Sequence, residues 1–224
     1  AGGGALYAED VFSTYLYTGN ETARTIANGI ALSDEGGLVW IKSRSNADSS
    51  YLFDTVNGPQ KTLSSDATNA GANYSAYWDF PSAGTKGFNL KAAPANYSGW
   101  TLASWSFRKA EKFFDVVTYT GNAVNGRQIA HNLGSTPGMI VVKRINGGAE
   151  WPVYHESTGA GQYLFLSTND QKSPYDGPGN TNSRYWNNTA PTSTNFSVSN
   201  DGWVNASDGT YVAYLFASDA GGYG

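Results

Sequence analysis

At 224 residues the chain is long enough for one large domain or two of ordinary size. Charged residues make up 14% of it against a usual ~25%, and the net charge is -4 with its Lys and Arg scattered, which excludes the clustered cationic surface of a nucleic-acid binder. It has no cysteine, so disulfides and thiolate metal sites are excluded, and no apolar run approaches the ~20 residues of a membrane span.

The chain opens on Ala1-Gly2-Gly3-Gly4, a glycine-rich junction expected of a processed protein or of a segment of something longer, with no signal-peptide pattern. The first predicted strand is Val11 to Tyr17, dense in β-branched and aromatic residues. Thr18-Gly19-Asn20 breaks it, because Gly and Asn tolerate turn geometry. A short strand comes next at Arg24-Thr25-Ile26, then the apolar run Leu38 to Ile41, whose continuity predicts burial on both faces. Tyr51 to Asp54 and Lys61 to Ser65 read as further strands. A long polar loop, 66–76, leads to Tyr77-Trp78-Asp79, then Gly87 to Leu90 and a closing aromatic strand, Trp100 to Phe107. The one candidate helix, near Arg108 to Lys112, is too short to stand alone.

The same series then runs again. Tyr17-Thr18-Gly19-Asn20 returns as Tyr119-Thr120-Gly121-Asn122, and Leu38-Val39-Trp40-Ile41-Lys42 as Met139-Ile140-Val141-Val142-Lys143. Tyr77-Trp78-Asp79 is answered by Tyr185-Trp186-Asn187, Gly87 to Leu90 by Asn195 to Val198, and the closing strand by Tyr211 to Phe216. The order is constant, as expected of a duplicated structural unit. Seven or so short strands per copy, with turn signals between them, predict an all-β fold of two tandem antiparallel β-sandwich units, residues 1–110 and 111–224. The junction Ser106 to Phe114 lacks the Pro/Ser run of a flexible linker, so a rigid relation between the units is expected.

Catalytic chemistry has little to stand on. His131 sits in the turn string His131-Asn132-Leu133-Gly134, where local hydrogen bonding is its expected role; His155 ends an apolar strand, and no nucleophile-elbow motif occurs. Oxygen-rich stretches at 65–69 and 169–177 lack ordered carboxylate spacing and read as solvated loops, so neither a metal nor any cofactor is expected. No motif implies the paired carboxylates of a glycosidase. Six Asn-x-Ser/Thr sequons occur, at Asn20, Asn73, Asn96, Asn187, Asn195 and Asn205.

The aromatic residues carry the binding expectation. Tyr74, Tyr77, Tyr175 and Tyr185 flank or sit in the longest polar loops, with Asp176 beside Tyr175. Exposed rings next to Asp or Asn suit stacking on sugar rings and hydrogen bonding to their hydroxyls, so these five residues are the candidate glycan contacts. Trp78 and Trp186 are expected as core plugs, and Trp40, Trp100 and Trp105 as core or unit–unit interface.

Several strings resemble a repeated domain in structural proteins of marine tailed bacteriophages. They include Val11 to Asn20, Gly36 to Arg44, Leu52 to Val56, Ser106 to Ala110 with Phe113 to Gly121, His131 to Arg144, Arg184 to Thr189, and Val204 to Ser207 with Tyr211 to Phe216 after it. The resemblance covers most of the chain and supplies no catalytic residues. It implies a non-enzymatic virion-surface protein, such as a tail fibre, spike or capsid decoration, with a lectin-type jelly-roll fold. Its implied partners are other virion proteins, further copies of itself and a host-surface glycan, with neither nucleic acid nor membrane. A carbohydrate-binding module is the alternative, and a polysaccharide depolymerase a third reading. Any recognition is expected in the loops that the two copies do not share, those of the second unit foremost.

Overall fold

The computed structural model describes residues 6–168, 173–174 and 184–218. Among them the fold is predominantly β, with several antiparallel sheets and a few single helical turns at Ala8–Val11, Leu32–Glu35, Pro59–Lys61 and Gly202–Asn205. The candidate helix near Arg108 to Lys112, judged too short to stand alone, does not form: Arg108 ends a strand and a turn comes after it. The described residues divide into two units, one of 6–63 and 72–110, the other of 64–71 and 111–218.

Unit 1 contains β1 (Phe12–Thr18), β2 (Arg24–Ile26), β3 (Gly37–Ser43), β4 (Tyr51–Asp54), β5 (Leu63–Ser64), β6 (Trp78–Asp79), β7 (Phe88–Leu90) and β8 (Thr101–Arg108). One sheet runs β1-β8-β3-β4-β5 and a second β2-β7-β6. The core draws on both sheets. Tyr17, Val39, Ile41, Tyr51, Phe53 and Leu102 come from the first, and Ile26, Trp78, Phe88 and Leu90 from the second. The alternation of β3 explains its share: Val39 and Ile41 point to one face, as the two-residue strand period requires.

Unit 2 contains β9 (Phe114–Thr120), β10 (Arg127–Ala130), β11 (Pro137–Arg144), β12 (Pro152–His155), β13 (Gln162–Phe165), β14 (Ser173–Pro174), β15 (Asn195–Val198) and β16 (Thr210–Ala217). Its large sheet runs β14-β13-β12-β11-β16-β9, and β10 pairs with β15. The core again draws on both: Ile140, Val142, Tyr154, Tyr163, Tyr211, Ala213 and Leu215 with Ile129, Phe196 and Val198. Strand for strand, β9-β16-β11-β12-β13 has the order of β1-β8-β3-β4-β5.

β11 is buried on both faces, as its apolar run predicts. Ile140 and Val142 enter the core, and Lys143 on the opposite side is 0% exposed. The segment 64–71 belongs to unit 2 and accounts for that burial. Lys143 Nζ donates to Thr68 O and Ala149 O, both at 2.9 Å, and Trp151 Nε1 donates to Ala67 O at 2.8 Å. Gly71 N donates to Ile145 O at 2.9 Å. The ammonium lies 5.8 Å from the Trp151 ring centroid, and desolvation pulls its pKa down to about 8.

Each unit also holds one turn with the same set of hydrogen bonds. In unit 1 the buried Asn96 accepts from Asn20 N at 3.2 Å and donates to Thr22 O at 3.0 Å. Tyr17 Oη donates to Ala95 O at 3.1 Å, and Arg24 donates to Thr18 O with its guanidinium 5.7 Å from the Tyr17 ring. In unit 2 the buried Asn205 accepts from Asn122 N at 3.0 Å and donates to Val124 O at 2.9 Å. Tyr119 Oη donates to Val204 O at 2.8 Å, and Arg127 donates to Thr120 O with its guanidinium 5.6 Å from the Tyr119 ring. The glycine in each turn is obligatory, because a Cβ at Gly19 or Gly121 would overlap the carbonyl oxygen of Tyr97 or Ala206. Two of the sequon asparagines, Asn96 and Asn205, are therefore interior groups.

Candidate functional site

Unit 1 has an aromatic cleft of 450 Å³ lined by Asp48, Tyr51, Tyr74, Tyr77, Ala93, Pro94, Tyr97 and Trp100. Three stretches of chain supply it: the β3–β4 loop with the first residue of β4, the turn before β6, and the β7–β8 loop. Trp78 is the anchor beneath. It is 0% exposed, its Nε1 donates to Thr62 Oγ1 at 3.0 Å, and its ring stacks on Tyr74 at 5.3 Å with an interplanar angle of 1°. Tyr77 N donates to Tyr74 O at 2.8 Å, closing the turn that sets the two tyrosines 5.3 Å apart. Tyr51 lies 5.7 Å from Tyr74, and Tyr97 packs on Trp100 at 4.7 Å. Tyr97 is 41% exposed.

The cleft holds one carboxylate. Asp48 Oδ1 accepts from Ser49 N at 2.9 Å and from Tyr51 Oη at 3.1 Å, so two local donors fix its orientation. Lys42 turns its ammonium to the main-chain carbonyl of Asp48. Among the described residues no Lys or Arg nitrogen lies within ion-pair distance of the Asp48 carboxylate. The arrangement offers ring faces, phenolic hydroxyls and a negative charge, which is recognition chemistry.

The expected glycan contacts fall in three places. Tyr74 and Tyr77 line the cleft. Tyr175 and Asp176 lie outside the described residues, as does most of the second unit's long insert. Tyr185 has to be corrected: it is 0% exposed, stacked on Trp203 at 5.8 Å and edge-on to Tyr163 at 4.7 Å. Arg184 covers this pair, 5.4 Å from the Tyr185 ring and 5.1 Å from Trp203, and is held by Asp201 Oδ2 at 3.0 Å. Burial raises the Tyr185 pKa. Its place at the end of a polar loop suggests exposure, but Trp186 beside it is anchored in the core, and Tyr185 enters the same core cluster.

Asp48, Tyr51, Tyr97 and Trp100 did not stand out in the sequence. Trp100, expected in a core or interface, is half-buried at the mouth of β8. A signal was there: Asn96-Tyr97-Ser98-Gly99-Trp100 stands where the corresponding turn of unit 2 has Asn205-Ala206-Ser207-Asp208-Gly209. The two rings are the part that the two turns do not share at that place.

The histidines are accounted for locally. His131 is buried; its Nδ1 accepts from Leu133 N at 3.3 Å and its Nε2 lies 3.2 Å from Thr192 O, which fits a ring protonated on Nε2. Burial holds its pKa below the ordinary value, so it is neutral at pH 7. His155 Nδ1 accepts from Ser157 N at 3.2 Å. Among the described residues no three His, Asp or Glu side chains converge as a metal site, and no helix is long and apolar enough to cross a membrane.

The described residues thus combine a predominantly β fold of several antiparallel sheets with an aromatic, carboxylate-bearing cleft in unit 1. The chain belongs to the family described as "Domain of unknown function (DUF7483)", which it matches over residues 8–224. No curated protein and no solved structure matches it.

Proposed function

We propose that this chain is a non-enzymatic structural protein of a tailed-phage virion surface, built from two copies of one lectin-like β-sandwich, and that unit 1 attaches the particle to host-surface carbohydrate. The duplication rests on the shared strand order and on the asparagine-centred turn, which recurs in the two units with a common set of hydrogen bonds. The virion assignment rests on the resemblance carried by Val11 to Asn20, Gly36 to Arg44, His131 to Arg144 and the junction Ser106 to Ala110. Other virion proteins and further copies of this chain are its partners, and its location is outside the cell.

The attachment role rests on one observation: five aromatic residues and a carboxylate line an open cleft. Sugar rings present flat C–H faces that pack on aromatic rings and hydroxyls that pair with groups such as Asp48 and the tyrosine hydroxyls. The alternative of a depolymerase calls for two carboxylates flanking the scissile bond, and the cleft lining supplies one.

Titration with purified host polysaccharides, read by tryptophan fluorescence, tests the attachment role because Trp100 lines the cleft. A saturable change that Trp100→Ala removes is expected. No response to any host polysaccharide leaves scaffolding alone, and clearing of host capsule by the purified protein establishes the depolymerase instead. Mass spectrometry of purified particles tests the virion assignment, since a chain absent from the particle is no structural protein of it.

A further inference from the structure

We infer that the ligand of the unit 1 cleft carries an organic ammonium group, seated between the tyrosine faces and the Asp48 carboxylate. This deepens the carbohydrate reading, on which it rests for the body of the ligand, and it selects among sugars: amino sugars or choline-substituted glycans over neutral and acidic ones.

The argument is one of charge complementarity. Every aromatic ring presents a negative face to the space above it, and a cation within about 6 Å of a ring centroid is drawn to it. The cleft gathers Tyr51, Tyr74, Tyr77, Tyr97 and Trp100, and adds the full negative charge of Asp48. The two donors on Asp48 Oδ1 are a main-chain N–H and a phenol, both neutral, so neither cancels that charge. No cationic side chain lines the cleft; Lys42 reaches Asp48 only at its main-chain carbonyl, and among the described residues no cation forms an ion pair with the Asp48 carboxylate. A carboxylate-bearing sugar would meet a like charge and a wall of negative ring faces. A neutral sugar would stack but leave the Asp48 carboxylate without an ion-pair partner. An ammonium satisfies both features. Elsewhere in this chain cations already sit on ring faces, Arg24 on Tyr17 and Arg127 on Tyr119 among them.

The test compares four probes by calorimetry on the full chain: the glucosamine disaccharide, its N-acetylated form, a glucuronate-containing disaccharide, and choline. The variants are Asp48→Asn and Tyr97→Ala. Asparagine keeps Oδ1 as the acceptor for Ser49 N and Tyr51 Oη while removing the charge and turning Oδ2 into an amide nitrogen, so the fold is expected to survive; a thermal melt of each variant checks this. About tenfold tighter binding of the glucosamine disaccharide than of its acetylated form is expected, lost in Asp48→Asn and weakened in Tyr97→Ala. Equal or tighter binding of the acetylated or acidic probe overturns the ammonium inference and leaves the carbohydrate reading in place. Binding of choline with none of the three disaccharides bound overturns the carbohydrate reading and upholds the ammonium. A preference that persists in Asp48→Asn, or no binding by any probe, overturns the inference.

Discussion

Asn205 is the residue whose loss the second unit should feel most. It is 0% exposed and uses all of its hydrogen-bonding capacity. Its Oδ1 accepts from Asn122 N at 3.0 Å and Arg127 Nη1 at 3.3 Å, and its Nδ2 donates to Val124 O and Ser199 O, both at 2.9 Å. Asn205→Ala leaves an amide and two carbonyls without these partners, at roughly 1–3 kcal/mol for each group that water does not reach, so a loss of about 3–5 kcal/mol is expected. Asn205→Asp preserves the shape but turns an acceptor toward the two carbonyls; it is expected to cost about as much at pH 7 and less at pH 4, where the new carboxyl is protonated and can donate. Urea unfolding monitored by tryptophan fluorescence reads this directly. With a slope of about 1–2 kcal/mol per molar for a unit of this size, the midpoint of the affected transition falls by about 2–4 M. Shifts below about 0.5 M for both variants would refute the idea that this side chain holds the turn. Asn96, with one donor and one acceptor contact, should lose about half as much on truncation.

The neighbouring glycine gives a companion test: a Cβ at Gly121 overlaps Ala206 O while Gly202 has open space, so Gly121→Ala should lower the melting temperature by about 10 °C and Gly202→Ala by little. Lys143 gives a pH dependence. Its folded pKa, about 8, lies below the 10.5 of a free lysine, so the unfolded chain binds more protons between them and stability rises with pH across that window, by about 3 kcal/mol in full. The rise should be visible from pH 8 to about 10 in urea titrations and flattened in Lys143→Met. Above pH 10 the sign reverses, because the buried hydroxyls of Tyr17, Tyr119 and Tyr185 have raised pKa values and the unfolded chain ionises first. The Tyr185 hydroxyl is buried with no hydrogen-bond partner among the described residues, so Tyr185→Phe should be neutral or stabilising by up to about 1 kcal/mol in a thermal melt; a loss of that size or more would mean the hydroxyl is satisfied.

Much of the strand pattern was legible because it is written in side chains. Arg24–Ile26, Arg127–Ala130 and Tyr51–Asp54 are strands at the bounds expected from apolar and β-branched runs between turn residues. Trp78 and Trp186, expected as core plugs, are 0% and 1% exposed. The membership of 64–71 in the second unit could not be seen, and the reason is physical. That segment docks through Ala67 O, Thr68 O and Gly71 N, main-chain groups that every sequence carries, while the side chains that receive it are Lys143 and Trp151. The cleft was half legible for a similar reason. Tyr74 and Tyr77 announce themselves in a long polar loop, but Asp48, Tyr97 and Trp100 belong to other connections that only the folded sheets bring alongside.

The turn that recurs in both units also explains why a cleft of this kind is described in unit 1. The asparagine, the tyrosine–arginine stack and the glycine under a carbonyl are retained in each, because together they satisfy buried polar groups that would otherwise cost several kcal/mol. The residues just after the asparagine are under no such constraint. In unit 1 they include Tyr97 and Trp100, both at the surface and packed on one another, with Leu102 as the first core residue of β8. In unit 2 Ala206 and Gly209 take their places, and Tyr211 stands where Leu102 does. That ring is 0% exposed; its hydroxyl donates to Gly202 O at 2.7 Å and accepts from Ala206 N at 2.8 Å, and a Cβ at Gly209 would overlap it. Unit 1 therefore sends its aromatic surface outward at this turn and unit 2 draws it inward to brace the loop. The first arrangement leaves ring faces open to a ligand; the second converts the same stretch of chain into core.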